Sequence, residues 1–157
     1  MSMQMIAHFK TQFDYDSHTN LAMLDTMITA GMDTGKAAGL MAHMLAAQQI
    51  WLLRCKNHPI ATGPQWPDWT AEEMIDITGK NHQDWIDYLD TLQDDDLDKT
   101  ITYKNLHGDT FTSVIRDVLT HVINHGTHHR GQTGYQLKFN GVAQLPVTDY
   151  IFYIRGL

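Results

Sequence analysis

Ten histidines stand in this chain of 157 residues, and four of them fall between positions 121 and 129. Imidazole binds transition metals and moves protons near neutral pH, so the spacing of these rings decides which chemistry to look for. His121, His125 and His129 recur every fourth residue. At about 100° per residue on a helix, with His121 at zero, His125 falls near 40°, His129 near 80°, His128 near −20° and Gln132 near 20°. All five polar side chains share an arc of about 100°, the width of a helix's buried stripe. Two imidazoles one turn apart can grip one ion, as in other helical zinc motifs. The third ligand is expected from another helix. His43 is the candidate, being the only titratable residue between Lys36 and Arg54. A buried imidazole needs a polar partner, and an ion shared with His125 and His129 would supply one. The predicted metal ligands are therefore His43, His125 and His129, with His121 and His128 as supporting donors or pocket wall.

Other chemistries fit less well. A zinc protease needs His-Glu-x-x-His, and no Glu lies within 121–129. A di-iron bundle needs Glu-x-x-His pairs, yet Glu72 and Glu73 are the only glutamates. Cys55, at a helix end beside Leu52, Leu53 and the one cation Arg54, has no His partner in sequence and reads as an ordinary buried or surface thiol, not a nucleophile. Gly31-x-x-x-Gly35 lacks the lysine of a phosphate loop. Seven of the 18 acids cluster between Asp84 and Asp98 without calcium-loop spacing, which predicts a solvated face.

Long helices must carry these histidines. Ile6, Phe9, Phe13, Leu21, Leu24 and Ile28 keep the three-and-four spacing of one apolar face, with Gly31 at the helix end. A second helix is expected from Asp33 or Thr34 to about Arg54. It is apolar nearly all round from Leu40 to Leu53, as befits the middle of a bundle. The segment 57–69 holds three of the four prolines and predicts irregular chain. Thr70 and Glu73 predict a capping box opening a third helix, with Met74, Ile77, Trp85, Leu89 and Leu92 facing inward. Between Lys99 and Thr112 the period drops to two around His107-Gly108-Asp109, which predicts a hairpin. Thr112 or Ser113 is expected to cap a fourth helix running to about Lys138, followed by an aromatic tail. The predicted fold is all-α: a four-helix bundle with a small β-hairpin inserted before the last long helix, as one domain over 1–157.

Composition narrows the function classes. Hydrophobic residues at 43% and charged residues at 18% describe a folded chain with a real core. The net charge of −7 argues against nucleic acid, which needs a basic face. No apolar run suits a signal peptide or a membrane span, and the lone cysteine suits a reducing compartment, so a cytoplasmic location is expected.

The run His121-Val-Ile-Asn-His125-Gly-Thr-His128-His129-Arg130-Gly131-Gln132, preceded by Met-Ala-His43-Met-Leu and Trp51, resembles the DinB (DinB/YfiT-like) family over nearly the whole chain. The resemblance implies a four-helix bundle, often dimeric, with a divalent metal on three histidines, here His43, His125 and His129. It also implies, for some members, metal-dependent transfer of a low-molecular-weight thiol such as bacillithiol, mycothiol or glutathione. Two readings follow. One is a metal-dependent thiol S-transferase or hydrolase-like enzyme acting on a small-molecule electrophile, in which His121 or His128 shuttles a proton and Arg130 binds an acidic substrate or simply sits at the surface. The alternative is a non-catalytic metal-binding stress-response protein, in which the ion staples the helices. The expected cofactor is a divalent metal ion, Zn or Ni first, with Fe or Mn as alternatives. Trp66 and Trp69, uncovered by so small a bundle, predict a homodimer.

Overall fold

A computed structural model describes residues 4–59 and 63–157. Four long helices carry the chain: α1 (Gln4–Thr29), α2 (Lys36–Cys55), α3 (Ala71–Asp90) and α4 (Ile115–Phe139). After α3, one 3-10 turn (Asp94–Asp98) leads into an antiparallel hairpin of β1 (Thr100–Lys104) and β2 (Thr110–Val114). A short α5 (Tyr150–Ile154) follows α4. The predicted class is the observed one. α2 packs most extensively on α4 and α1 on α3, and α1–α4 and α2–α3 contacts close the ring. Residues 60–62 of the predicted irregular segment lie outside the described residues, and no regular element occupies 63–69. Among the described residues, no helix is long and apolar enough to cross a membrane.

Local chemistry explains most boundaries. Gly31 (φ +68°) ends α1: its N–H bonds to the Ile28 carbonyl at 3.0 Å, and Met32 N–H reaches the Met27 carbonyl at 2.8 Å. Those two bonds satisfy carbonyls that the last turn leaves without helical partners. The box at Thr70 and Glu73 forms as predicted, each side chain on the other's backbone N–H. Two predicted starts are corrected. α2 begins at Lys36, because the Asp33 carbonyl accepts from Ala71 N–H at 2.9 Å and the loop is held against the start of α3. α4 begins at Ile115, because β2 stays paired as far as Val114 and the hydroxyls of Thr112 and Ser113 bond to Thr102 and Tyr103. Leu21 is also corrected. It is 36% exposed, since the buried side of α1 runs through Phe9, Asp16, Asn20, Met23 and Met27.

The interior has two apolar layers. One gathers Phe9, Phe13, Trp85 and Leu89 with Val118, Leu119 and Val122 under the hairpin. The other is rich in methionine: Met23, Met27, Met41, Met44 and Met74, packed with Leu24, Leu45 and Leu137. α1 and α4 pass from the first layer to the second, and α2 and α3 pass back.

Between the layers lies a buried polar network that no hydrophobic pattern announces. Asp16 and Asn20 on α1 sit at 2% and 0% exposure, with Arg130 on α4 at 3%. Arg130 Nη1 donates to Asp16 Oδ1 and, at 2.9 Å, to Asn20 Oδ1. Gln48 of α2 donates to Asp16 Oδ2 at 2.6 Å, and Asn81 of α3 donates to Gln48 Oε1 at 3.2 Å. All four helices are thereby tied in one layer. Gly126 makes room for it: a Cβ there would stand 2.5 Å from Asp16 Oδ1 and 3.1 Å from Arg130 Nη1.

Arg130→Ala is expected to cost about 3–5 kcal/mol, because it leaves the Asp16 carboxylate buried without its cation. Gly126→Ala should cost about 1–3 kcal/mol by crowding the same pair. Urea unfolding of both variants, with the slope unchanged, measures these losses. Wild-type midpoints would contradict the network's role.

Candidate metal centre

The α2–α4 contact brings the distant histidine to the clustered ones. His43, His125 and His129 are half-buried, and one ring nitrogen from each lies within 4.8 Å of the other two. Ring centroids stand 5.2 Å apart for His43 and His125, 4.8 Å for His43 and His129, and 4.3 Å for His125 and His129. The two Nε2 atoms on α4 are 3.1 Å apart. Ligand nitrogens on a tetrahedral ion at about 2.0–2.1 Å stand about 3.4 Å from one another, so the α4 pair already stands near that separation.

The outer nitrogens settle which atoms face inward. His43 Nδ1 lies 2.8 Å from the Gln65 carbonyl, which can only accept, so Nδ1 carries the proton and Nε2 keeps its lone pair. His129 Nδ1 lies 2.8 Å from Gln132 Oε1 and is fixed in the same sense. A second hydrogen bond that orients the ring and fixes its tautomer is what metal-binding histidines carry. Burial, then the neighbouring rings, pushes His125 from the ordinary imidazole value down to about 4. Burial also lowers His129. The lowered values favour the neutral form of His125 and His129, the form that binds a cation. Donor set, spacing and outer hydrogen bonds all fit a divalent ion.

The remaining residues sort themselves around this cluster. His121 and His128 flank it on α4, both exposed, with ring centroids 5.6 Å from His125 and 5.1 Å from His129 respectively. Burial, then the nearby Arg54 guanidinium, lowers His121. The five-residue arc is not the buried stripe of α4 but its edge, because Val122, Gly126, Arg130, Thr133 and Leu137 form the buried side. For the same reason Arg130 does not meet substrate: its guanidinium is interior and committed to Asp16. Cys55 is buried against Tyr88, and burial pushes its thiol up to about 12, so it stays protonated and inert.

Two contributors escape sequence reasoning. The irregular segment supplies the Gln65 carbonyl and the Trp66 ring, which stacks on His43 at 4.0 Å between centroids and 11° between planes. Irregular chain has no period from which such contacts could be read, although Gln132 was visible on the histidine arc. Trp66 is 58% exposed on its other side, whereas Trp69 is half-buried against the methionine-rich layer and offers no exposed patch. Beside the cluster lies a cavity of about 140 Å³, lined by His43, His125, Trp51, Arg54 and Leu106 among others. Arg54 and Leu106 also line a larger cavity of about 580 Å³ beneath the hairpin.

Comparison with known proteins bears on the family and the fold. A family model described as the DinB family matches residues 22–156. The protein named DinB of Bacillus subtilis (strain 168) is 34% identical over 83 residues, which cover 53% of this chain and 46% of that protein. The similarity therefore takes in less than half of that relative's length. The crystal structure of a DinB-like protein from Bacillus cereus ATCC 10987 superposes with a TM-score of 0.72 at 19% identity, covering 94% of this chain and 99% of that one. At that identity the likeness is one of fold.

The low His125 value has a pH consequence. An unfolded imidazole titrates near 6.5, so between about 6.5 and 4 the unfolded state binds the extra proton. Stability of the metal-stripped protein is thus complete above that window and falls as pH drops through it. Thermal melts in chelator at pH 7.5, 5.5 and 4.5 should show a smaller loss for His125→Gln than for wild type. Parallel curves would mean that His125 is not held neutral by its surroundings.

Proposed function

This chain belongs to the DinB family, and from that premise we propose that it is a metal-dependent thiol S-transferase-like enzyme, joining a low-molecular-weight thiol to a small electrophile. The observation that carries the reading is an open centre beside a cavity. Among the described residues no fourth His, Cys, Asp or Glu joins the three histidines, and His43 and His125 line the adjoining cavity. A site built only to staple helices closes its shell with four protein ligands, whereas a catalytic one keeps a position free.

His43, His125 and His129 hold the ion, Zn or Ni in the first place, and their outer hydrogen bonds keep the rings aimed. When bound, the ion supplies uncompensated positive charge that favours ionisation of a thiol at neutral pH. His121, lowered and therefore neutral at pH 7, accepts the thiol proton. Sulfur then bonds to the electrophilic carbon and the leaving group departs with its electron pair. His128 supports the His129 ring from outside, and Trp66 shields His43 from water. The reading places the chain in the cytoplasm, where such thiols are reduced, and includes a homodimer formed through exposed apolar residues such as Trp66 and Phe139. Light scattering at micromolar concentration should give twice the chain mass.

Metal analysis is expected to give about one divalent ion per chain, with affinity lowered at least tenfold by His43→Ala or His129→Ala and less by His128→Ala. Metal-analysed protein mixed with bacillithiol, mycothiol or glutathione and an aryl halide should consume thiol and release halide. Chelator and His125→Ala should each abolish this. Stoichiometric metal without turnover on any of these thiols would favour the non-catalytic metal-binding stress-response protein instead.

A further inference from the structure

Arg54 closes α2 with its guanidinium over two ring faces, 4.5 Å from the Trp51 centroid and 4.7 Å from that of Tyr103. Aromatic faces hold a cation but offer its N–H groups no acceptor in the guanidinium plane. Among the described residues no carboxylate pairs with Arg54, and its Nε is buried without a hydrogen-bond partner. A half-buried guanidinium left in that state calls for a ligand. Arg116 and Arg130 each pair with an aspartate, whereas Arg54 does not.

The surroundings say which sign of ligand is meant. Arg54 lines both the cavity at the histidines and the larger one beneath the hairpin, where Lys104 joins it. The chain carries 18 carboxylates and a net charge of −7, yet none of those carboxylates lines either cavity. Basic groups in a recess free of acids, on an acidic molecule, make a local trap for anions.

We propose that Arg54 is the anion-recognising residue of this cavity, and that the small molecule brought to the three-histidine centre carries a carboxylate docked on its guanidinium. The fork of two parallel N–H groups matches a planar carboxylate in bidentate fashion, which is the reason to prefer it over a tetrahedral phosphate. Trp51 and Tyr103 fix the plane of the fork, and the shared wall of the two cavities sets the carboxylate beside His43 and His125. The inference rests on the reading of those histidines as a reaction centre, but its binding step does not require the ion.

Calorimetric titration of the protein with succinate, its neutral diamide succinamide and inorganic phosphate tests it, with metal content measured on the same sample. Succinate should bind once per chain, at least tenfold more tightly than succinamide and more tightly than phosphate. Arg54→Gln should weaken succinate at least tenfold without lowering metal content, and Arg54→Lys should recover only part, because an ammonium keeps the charge and loses the fork. Lys104→Met, an exposed change, should weaken succinate a few-fold. Equal binding of succinate and succinamide, tighter binding of phosphate, or wild-type succinate affinity in a folded Arg54→Gln variant would overturn the proposal. Succinate bound through Arg54 in protein that takes up no metal would uphold it while removing the metal-dependent reading. Full metal occupancy with no succinate binding would do the opposite.

Discussion

The buried charge pair of Arg130 and Asp16 sets the relative position of the four helices, and the metal centre inherits its geometry from it. A charge in the interior is tolerated only with a close partner and with its remaining hydrogen bonds filled. Here the partner comes from α1, and Asn20, Gln48 and Asn81 fill the rest. Sliding any one helix along the bundle would break that layer. Arg130 directly follows His129, and Gln48 lies five residues beyond His43, so the groups that satisfy the pair also hold apart the two helices whose imidazoles must meet. Such a pair need not add net stability, since apolar residues of similar volume often do as well. Its effect is on register.

The apolar layers alone would permit more freedom. Methionine is unbranched and adapts to irregular space, so a layer built from it specifies a fold weakly. Placing a polar layer of fixed hydrogen-bond geometry between that region and the better-shaped aromatic one compensates for this. The glycine at 126, which lets the α4 backbone approach Asp16, belongs to the same device.

The histidine set was legible because a helix repeats: rings four residues apart must share a face, and a lone imidazole in an apolar helix must find company. The fold class was legible from the same periodicity, and the hairpin from its loss. Arg130 misleads for an instructive reason. It adjoins His129 in sequence, yet it lies about 100° further round the helix, on the side of Val122, Gly126 and Leu137. Asp16 and Asn20 look like surface residues because their composition is polar, and only the position of Phe9, Phe13, Met23 and Met27 about them reveals the interior side. Helix starts were missed where tertiary bonds, at Asp33 and at Ser113, outcompete local capping. The contributions of Gln65 and Trp66 come from chain without a repeat, where sequence carries no geometric signal.

The methionine layer also gives the molecule a distinctive relation to oxidants. Met23, Met27, Met41, Met44 and Met74 are at most 2% exposed, whereas Met5 is 45% exposed. Conversion of a thioether to its sulfoxide adds a polar oxygen that such a layer cannot accommodate. Peroxide therefore reaches Met5 directly, but reaches the five interior sulfurs only when the bundle opens. Once one of them is oxidised, reclosure is impaired and its neighbours become accessible in turn. Sulfoxide formation inside the bundle consequently scales with the fraction of molecules open at any moment as well as with the oxidant, and it reports on that fraction in a way that Met5 does not.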